Sequence, residues 1–170
     1  MSLRKEIEKT FSEEVIMPIE IGIMLDFIEN NMNESDYFQI DIQFKPINQE
    51  IIRYYFNNEE IGKYFGVLAL TADGSLLSIW KDSDQQRFIH LGCEGDNWLI
   101  LASNPIDFIR VIAIGYDAFE KNKVIHPPIR SRIDKSFQDW VRKTFSVEIP
   151  KSGNEIIDLK SEKLITWIEC

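Results

Sequence analysis

The sequence predicts an α+β domain, an antiparallel sheet of about four to six strands with helices packed mainly on one side. Three observations predict it. Short apolar stretches between residues 64 and 102 are separated by turn residues at the spacing of a strand meander. The last of them runs straight into SNPIDF, a helix start that can be assigned residue by residue. Flanking segments carry apolar residues four apart, which supplies further helices to cover a sheet face.

In chain order, Leu3, Ile7 and Phe11 put one apolar face on a short amphipathic helix. After Met17, the run IEIGIMLDFIENN sets Ile21, Leu25 and Ile28 on one side of a second helix, with Pro18 suited to its first turn and Gly22 weakening it. YFQIDIQF alternates, with Phe38, Ile40, Ile42 and Phe44 to one side, which predicts a half-buried strand over 37–44 ended by Pro46. IIRYYF from Ile51 fits either a strand or a helical turn, and periodicity alone does not separate the two. Tyr64 to Thr71 predicts a strand and Ser75 to Trp80 its return. Asp73-Gly74 between them signals a two-residue type I′ turn, which wants positive φ at both positions. Arg87 to Leu91 and Asn97 to Ala102 add two strands around GCEGD, where Gly92 and Gly95 can take left-handed backbone.

Ser103 or Asn104 then caps a helix that has Pro105 in its first turn and Asp107 near its positive end. Phe108, Ile112 and Tyr116 form an apolar line that packs this helix on the sheet. Pro127 and Pro128 interrupt the chain, and Phe137 to Phe145 and Glu162 to Ile168 predict the closing helices. No repeat, low-complexity tract or linker divides these elements. Residues 1–170 therefore read as one domain, with 126–170 a C-terminal helical extension of it. A chain of 170 residues that is 44% hydrophobic can bury a core without metal or disulfide staples.

Charge narrows the function. The 28 acidic residues against 19 basic ones give a formal net charge of -9, which repels a phosphate backbone and argues against nucleic-acid binding. The same field keeps a chain soluble or speeds the approach of a basic protein. Apolar runs such as Leu99 to Ala102 fall far short of the roughly 20 residues that cross a bilayer. MSLRKEIEKTF becomes charged and amphipathic at once, unlike a secretory leader, so the expected location is the cytoplasm. There Cys93 and Cys170 are expected to stay reduced.

Motifs for catalysis are missing. His90 and Cys93 form an H-x-x-C pair, two ligands where a structural zinc needs four. His126 precedes two prolines and reads as a turn residue. A small hydrolase would have to use His90 or Cys93, but there is no G-x-S-x-G, and Glu94 and Asp96 beside Cys93 disfavour a thiolate. Phosphate-cradling and dinucleotide glycine patterns are absent as well. The sequence thus predicts a protein that binds rather than catalyses, with no cofactor and no metal. Its candidate partner-binding residues are Asp82 and Asp84, Glu94 and Asp96, and Trp80 as an aromatic anchor. Asp82 and Asp84 fall in one strand connection and Glu94 and Asp96 in the next. A meander places those two connections at opposite ends of the sheet.

Three stretches, MPIEIGIMLDFIENN, FGVLALTADGSLLSIW and IHLGCEGDNWLILASNPIDFIRVIAIG, together resemble the SUKH superfamily of bacterial immunity proteins, which also occurs in a fungal cell-wall regulator. The first resembles the helix after a Leu-Pro pair, with Met17 in place of the leucine. The second resembles the strand-turn-strand core with its Asp-Gly turn and tryptophan. The third resembles the later strand, glycine-bearing loop, strand and helix. The resemblance spans 18–115; Asn30, Asn31 and Met32 stand where the family often has Asn-Gly-Gly, and 33–63 and the tail beyond Lys121 match no family pattern. It implies a domain that binds a cognate bacterial toxin, often a nuclease, and neutralises it by stoichiometric inhibition. The charge makes the expected toxin a basic one. The fungal relatives imply the alternative, a regulatory or scaffolding module for an endogenous protein.

Overall fold

Connections of two to seven residues link the central strands, short enough that each strand must return antiparallel beside the last. The computed structural model describes residues 1–31, 42–56, 58, 60–131 and 133–169. Among these, seven α-helices accompany five strands: α1 (Leu3–Glu8), α2 (Ile19–Asn31), β1 (Ile42–Phe44), α3 (Ile51–Phe56), β2 (Phe65–Thr71), β3 (Leu76–Asp82), β4 (Gln85–Leu91), β5 (Leu99–Ala102), α4 (Pro105–Ile114), α5 (Lys121–Val124), α6 (Lys135–Phe145) and α7 (Glu162–Glu169). The strands form one antiparallel sheet in chain order, β1-β2-β3-β4-β5.

The two faces of this sheet build two cores. Ile42, Leu77, Ile79, Phe88 and Leu101 pack with residues of α1, α2, α4 and α6. Phe65, Val67, Trp80, Ile89 and Ile100 pack on the other face with Ile52 of α3 and Leu164 of α7. The fold is α+β with the larger helical layer on one side, and the short α3 and α7 cover the second. Because β2 to β5 are buried on both faces, they read as apolar runs rather than as alternation. A bulge in β2, where Val67 pairs with Ser78 but Ala69 with Leu77, puts Leu68 and Ala69 both in the first core.

The helix after the sheet starts as its sequence dictates. Asn104 Oδ1 accepts from the Asp107 amide at 2.9 Å, Pro105 opens the first turn, and the helix ends at Gly115 in the left-handed region. The α6 helix packs on α4, and Asp134 caps its start. The segment before α7 closes the outer edge of β5: the Asp158 amide donates to the Ile100 carbonyl at 2.9 Å, and Ser161 Oγ accepts from the Ile100 amide at 3.1 Å. IIRYYF is helical, as α3. Of the predicted strand 37–44, only Ile42–Phe44 falls among the described residues, with Phe38 and Ile40 outside them.

The Asp73-Gly74 hairpin differs from the predicted type I′ turn. The Thr71 amide donates to the Ser75 carbonyl at 2.9 Å and the Gly74 amide to the Thr71 carbonyl at 3.0 Å, giving a three-residue loop in which Gly74 alone has positive φ, 86°. Asp73 keeps ordinary backbone because its side chain locks the loop: Oδ1 accepts from the Ser75 amide at 3.0 Å and from the Thr71 hydroxyl at 2.5 Å.

Candidate functional site

The β2–β3 turn and the β4–β5 loop lie at the same end of the meander, and between them opens a cavity of about 370 Å³. Asp73, Glu94, Asp96 and Glu120 supply four carboxylates to its lining, with Ser75, His90, Cys93 and Phe119. The local chain explains how the loop carrying Glu94 and Asp96 is held at the cavity. A Cβ at Gly92 would meet the Asp96 backbone oxygen at 1.9 Å, so the loop closes on itself only with glycine there. The Cys93 amide then donates to Ser75 Oγ at 3.2 Å, tying the loop to the start of β3.

His90 forms the floor. It is 3% exposed, and its ring lies 5.6 Å from that of Phe119. Its Nδ1 sits 2.7 Å from the Asn97 carbonyl oxygen. A carbonyl only accepts, so Nδ1 carries the proton and Nε2 of the neutral ring is left as an acceptor. Burial pushes the His90 pKa below its ordinary value, outweighing the bond to Asn97 and the charges of Asp73 and Asp96. Burial also acts on Asp73, but the hydrogen bonds from Thr71 and Ser75 overcome it and hold this carboxyl below its usual range. Tyr55, at the same turn, is pushed up to about 12 by burial and then by Cys93 and Asp73, so its phenol stays protonated and donates to the Gly74 carbonyl at 3.2 Å.

The cavity therefore offers carboxylates and a neutral imidazole in one lining. Glu120 already pairs with Lys123 at 2.9 Å, whereas Asp73, Glu94 and Asp96 have no such cation among the described residues. Such a site suits a donor-rich cation, an ammonium or a guanidinium. Among the described residues, no group of three or more His, Cys, Asp and Glu converges to hold a metal ion. Nor is any helix among them long and apolar enough to cross a membrane.

Of the sequence-predicted partner residues, Glu94 and Asp96 line this cavity together. Asp84 is exposed on the two-residue β3–β4 turn at the opposite end of the sheet. Trp80 and Asp82 are corrected. Trp80 is fully buried in the second core, its ring 5.4 Å from that of Trp167, and cannot anchor a partner without opening the fold. Asp82 is the last residue of β3, 5% exposed, and its charge is already met by Arg87 and Lys163. Both follow from strand alternation: Leu76, Trp80 and Asp82 share the face that α7 covers. Asp73 and Glu120 join the site unannounced. The signal for Asp73 was in the meander itself, since alternate connections share an end; Glu120 arrives from beyond α4, with no local signal.

No family model, no curated protein and no solved structure matches the chain.

Proposed function

We propose that this protein is an immunity protein of the SUKH kind, which binds a basic bacterial toxin one to one in the cytoplasm and blocks it without catalytic turnover. The observation that supports this reading is the cavity between the β2–β3 turn and the β4–β5 loop, whose lining Asp73, Glu94 and Asp96 share with the neutral acceptor His90. A lysine or arginine from the partner's cleft would enter it and donate to carboxylates held in place by backbone bonds and a tight loop. The net charge of -9 would add long-range attraction. An enzyme that binds phosphate-bearing substrates must itself carry a basic cleft, and such a cleft is complementary to this surface.

The test is capture of the tagged protein from its native cells at low and moderate salt, identification of what is retained, and assay of the purified pair. A basic toxic polypeptide held one to one, whose activity falls in proportion to added protein, supports the reading. A housekeeping protein with no toxic activity, held with the same stoichiometry, overturns it in favour of a regulatory module.

A further inference from the structure

The start of α2 leaves isoleucines in water. Ile16 is 66% exposed, Ile19 69% and Ile23 38%. Ile19 and Ile23 are one helical turn apart and share a face, and Ile16 precedes them on the connecting segment. The helix cannot rotate to hide them, because Ile21, Met24, Leu25 and Ile28 on its other side are buried in the core. Ile16 cannot turn inward either. Its neighbours Val15 and Met17 are buried, and the Gln86 side chain clamps its backbone from both sides: the Ile16 amide donates to Gln86 Oε1 at 2.7 Å, and Gln86 Nε2 donates to the Ile16 carbonyl at 2.8 Å. The fold thus holds three branched apolar side chains outward on a rigid base, the property of a preorganised contact surface.

Charge selects the occupant. Glu13 and Glu14 precede the stripe, Glu20 lies within it, and Asp84 is two residues from Gln86; together they outweigh Lys81, which lies opposite Gln86 in the sheet register, and Arg4, which lies against Gly22 and is paired with Asp26 at 3.8 Å. A second copy of a chain with net charge -9 would be repelled, as would an anionic membrane. We infer that Ile16, Ile19 and Ile23 form a docking surface for a protein partner that presents an apolar cluster flanked by lysines and arginines. The surface lies by the start of β4, away from the His90 cavity at the other end of that strand, and serves an inhibitor or a regulatory module alike.

The probe is an amphipathic helical peptide of leucine and lysine, titrated into the isotopically labelled full chain and followed by amide shifts. A leucine–glutamate peptide of the same pattern and a lysine–serine peptide of the same charge are the comparisons. Expected are shifts confined to residues 13–23 and Gln86, with a Kd raised at least about tenfold by Ile16→Ser with Ile19→Ser and within about twofold of the parent for Ile129→Ser, which alters an exposed isoleucine elsewhere. Equal binding of the lysine–serine peptide, shifts centred on the His90 cavity, indifference to the paired substitution, or no binding would overturn the inference. So would a dimer in sedimentation that the paired substitution abolishes, which would make a second copy the occupant. Shifts centred on the His90 cavity would support that cavity as a cation site while overturning this surface; the other results leave the toxin reading untouched, because it rests on the cavity.

Discussion

Lys163 of α7 places its Nζ 2.5 Å from Asp82 Oδ2, and Arg87 Nε approaches the same oxygen at 3.1 Å. The carboxylate is nearly buried, whereas Lys163 is half in solvent. One acid thus ties the last helix to the sheet at the point where Trp167 closes over Trp80. Asp82→Asn should lower unfolding stability by about 1–3 kcal/mol, less than a fully buried pair because Lys163 is screened and Arg87 keeps other partners. Urea unfolding followed by tryptophan fluorescence measures it; a loss under about 0.5 kcal/mol would mean that the pairs are worth no more than surface ones.

Stability should fall with pH in two separate windows. Burial alone would raise the Asp82 pKa, but Lys163 and Arg87 hold it below its ordinary 3.8. Its contribution is therefore present above 3.8 and is lost as pH drops through the lower folded value. His90 has the opposite charge change but loses stability in the same direction. Burial keeps its folded pKa below 6.5, so from 6.5 downward the unfolded chain takes up a proton that the folded one refuses. Urea midpoints across pH should lose the upper slope in His90→Gln and show a reduced lower slope in Asp82→Asn, the remainder coming from Asp73 and Asp134, which are also held below their ordinary value. A slope unchanged in either variant would assign it to other groups.

Gly92→Ala should damage fold and site together. The new Cβ would lie 1.9 Å from the Asp96 backbone oxygen, so the loop carrying Glu94 and Asp96 must move. The expected cost is about 1–3 kcal/mol in unfolding free energy. Gly62→Ala, where a Cβ meets nothing within 4 Å, is the control and should be neutral or slightly stabilising. Equal thermal midpoints for the two variants would show that the loop relaxes freely.

Local chemistry was legible in the sequence and long-range coverage was not. The start of α4, read as a Ser103 or Asn104 cap with Pro105 and Asp107 after it, depends on neighbours within four residues, and it formed with Asn104 as the cap. Trp80 and Asp82 were misassigned to a partner surface because what covers them, Trp167 and Lys163, comes from the far end of the chain. Asp73 was explained by its turn alone, although the meander already placed that turn beside the Glu94 loop. In α2 the apolar residues run nearly all round the helix, so the pattern marked the buried Ile21, Leu25 and Ile28 but not the exposed Ile19 and Ile23.

The division between the acidic cavity and the buried tryptophan can be measured once a partner is in hand. Glu94→Lys with Asp96→Lys reverses two exposed charges at the cavity mouth, where attraction acts before contact. The association rate at low salt should fall about ten- to a hundredfold, and its dependence on salt should flatten. Trp80→Phe removes part of a fully buried ring. It should cost about 1–3 kcal/mol of unfolding stability and leave both rate constants of the folded protein within about twofold, since the side chain never reaches the partner. Stopped-flow association and dissociation on the two variants separate these effects. Faster dissociation in Trp80→Phe at a temperature where it is fully folded would mean that the second core opens on binding and that the tryptophan is an anchor after all.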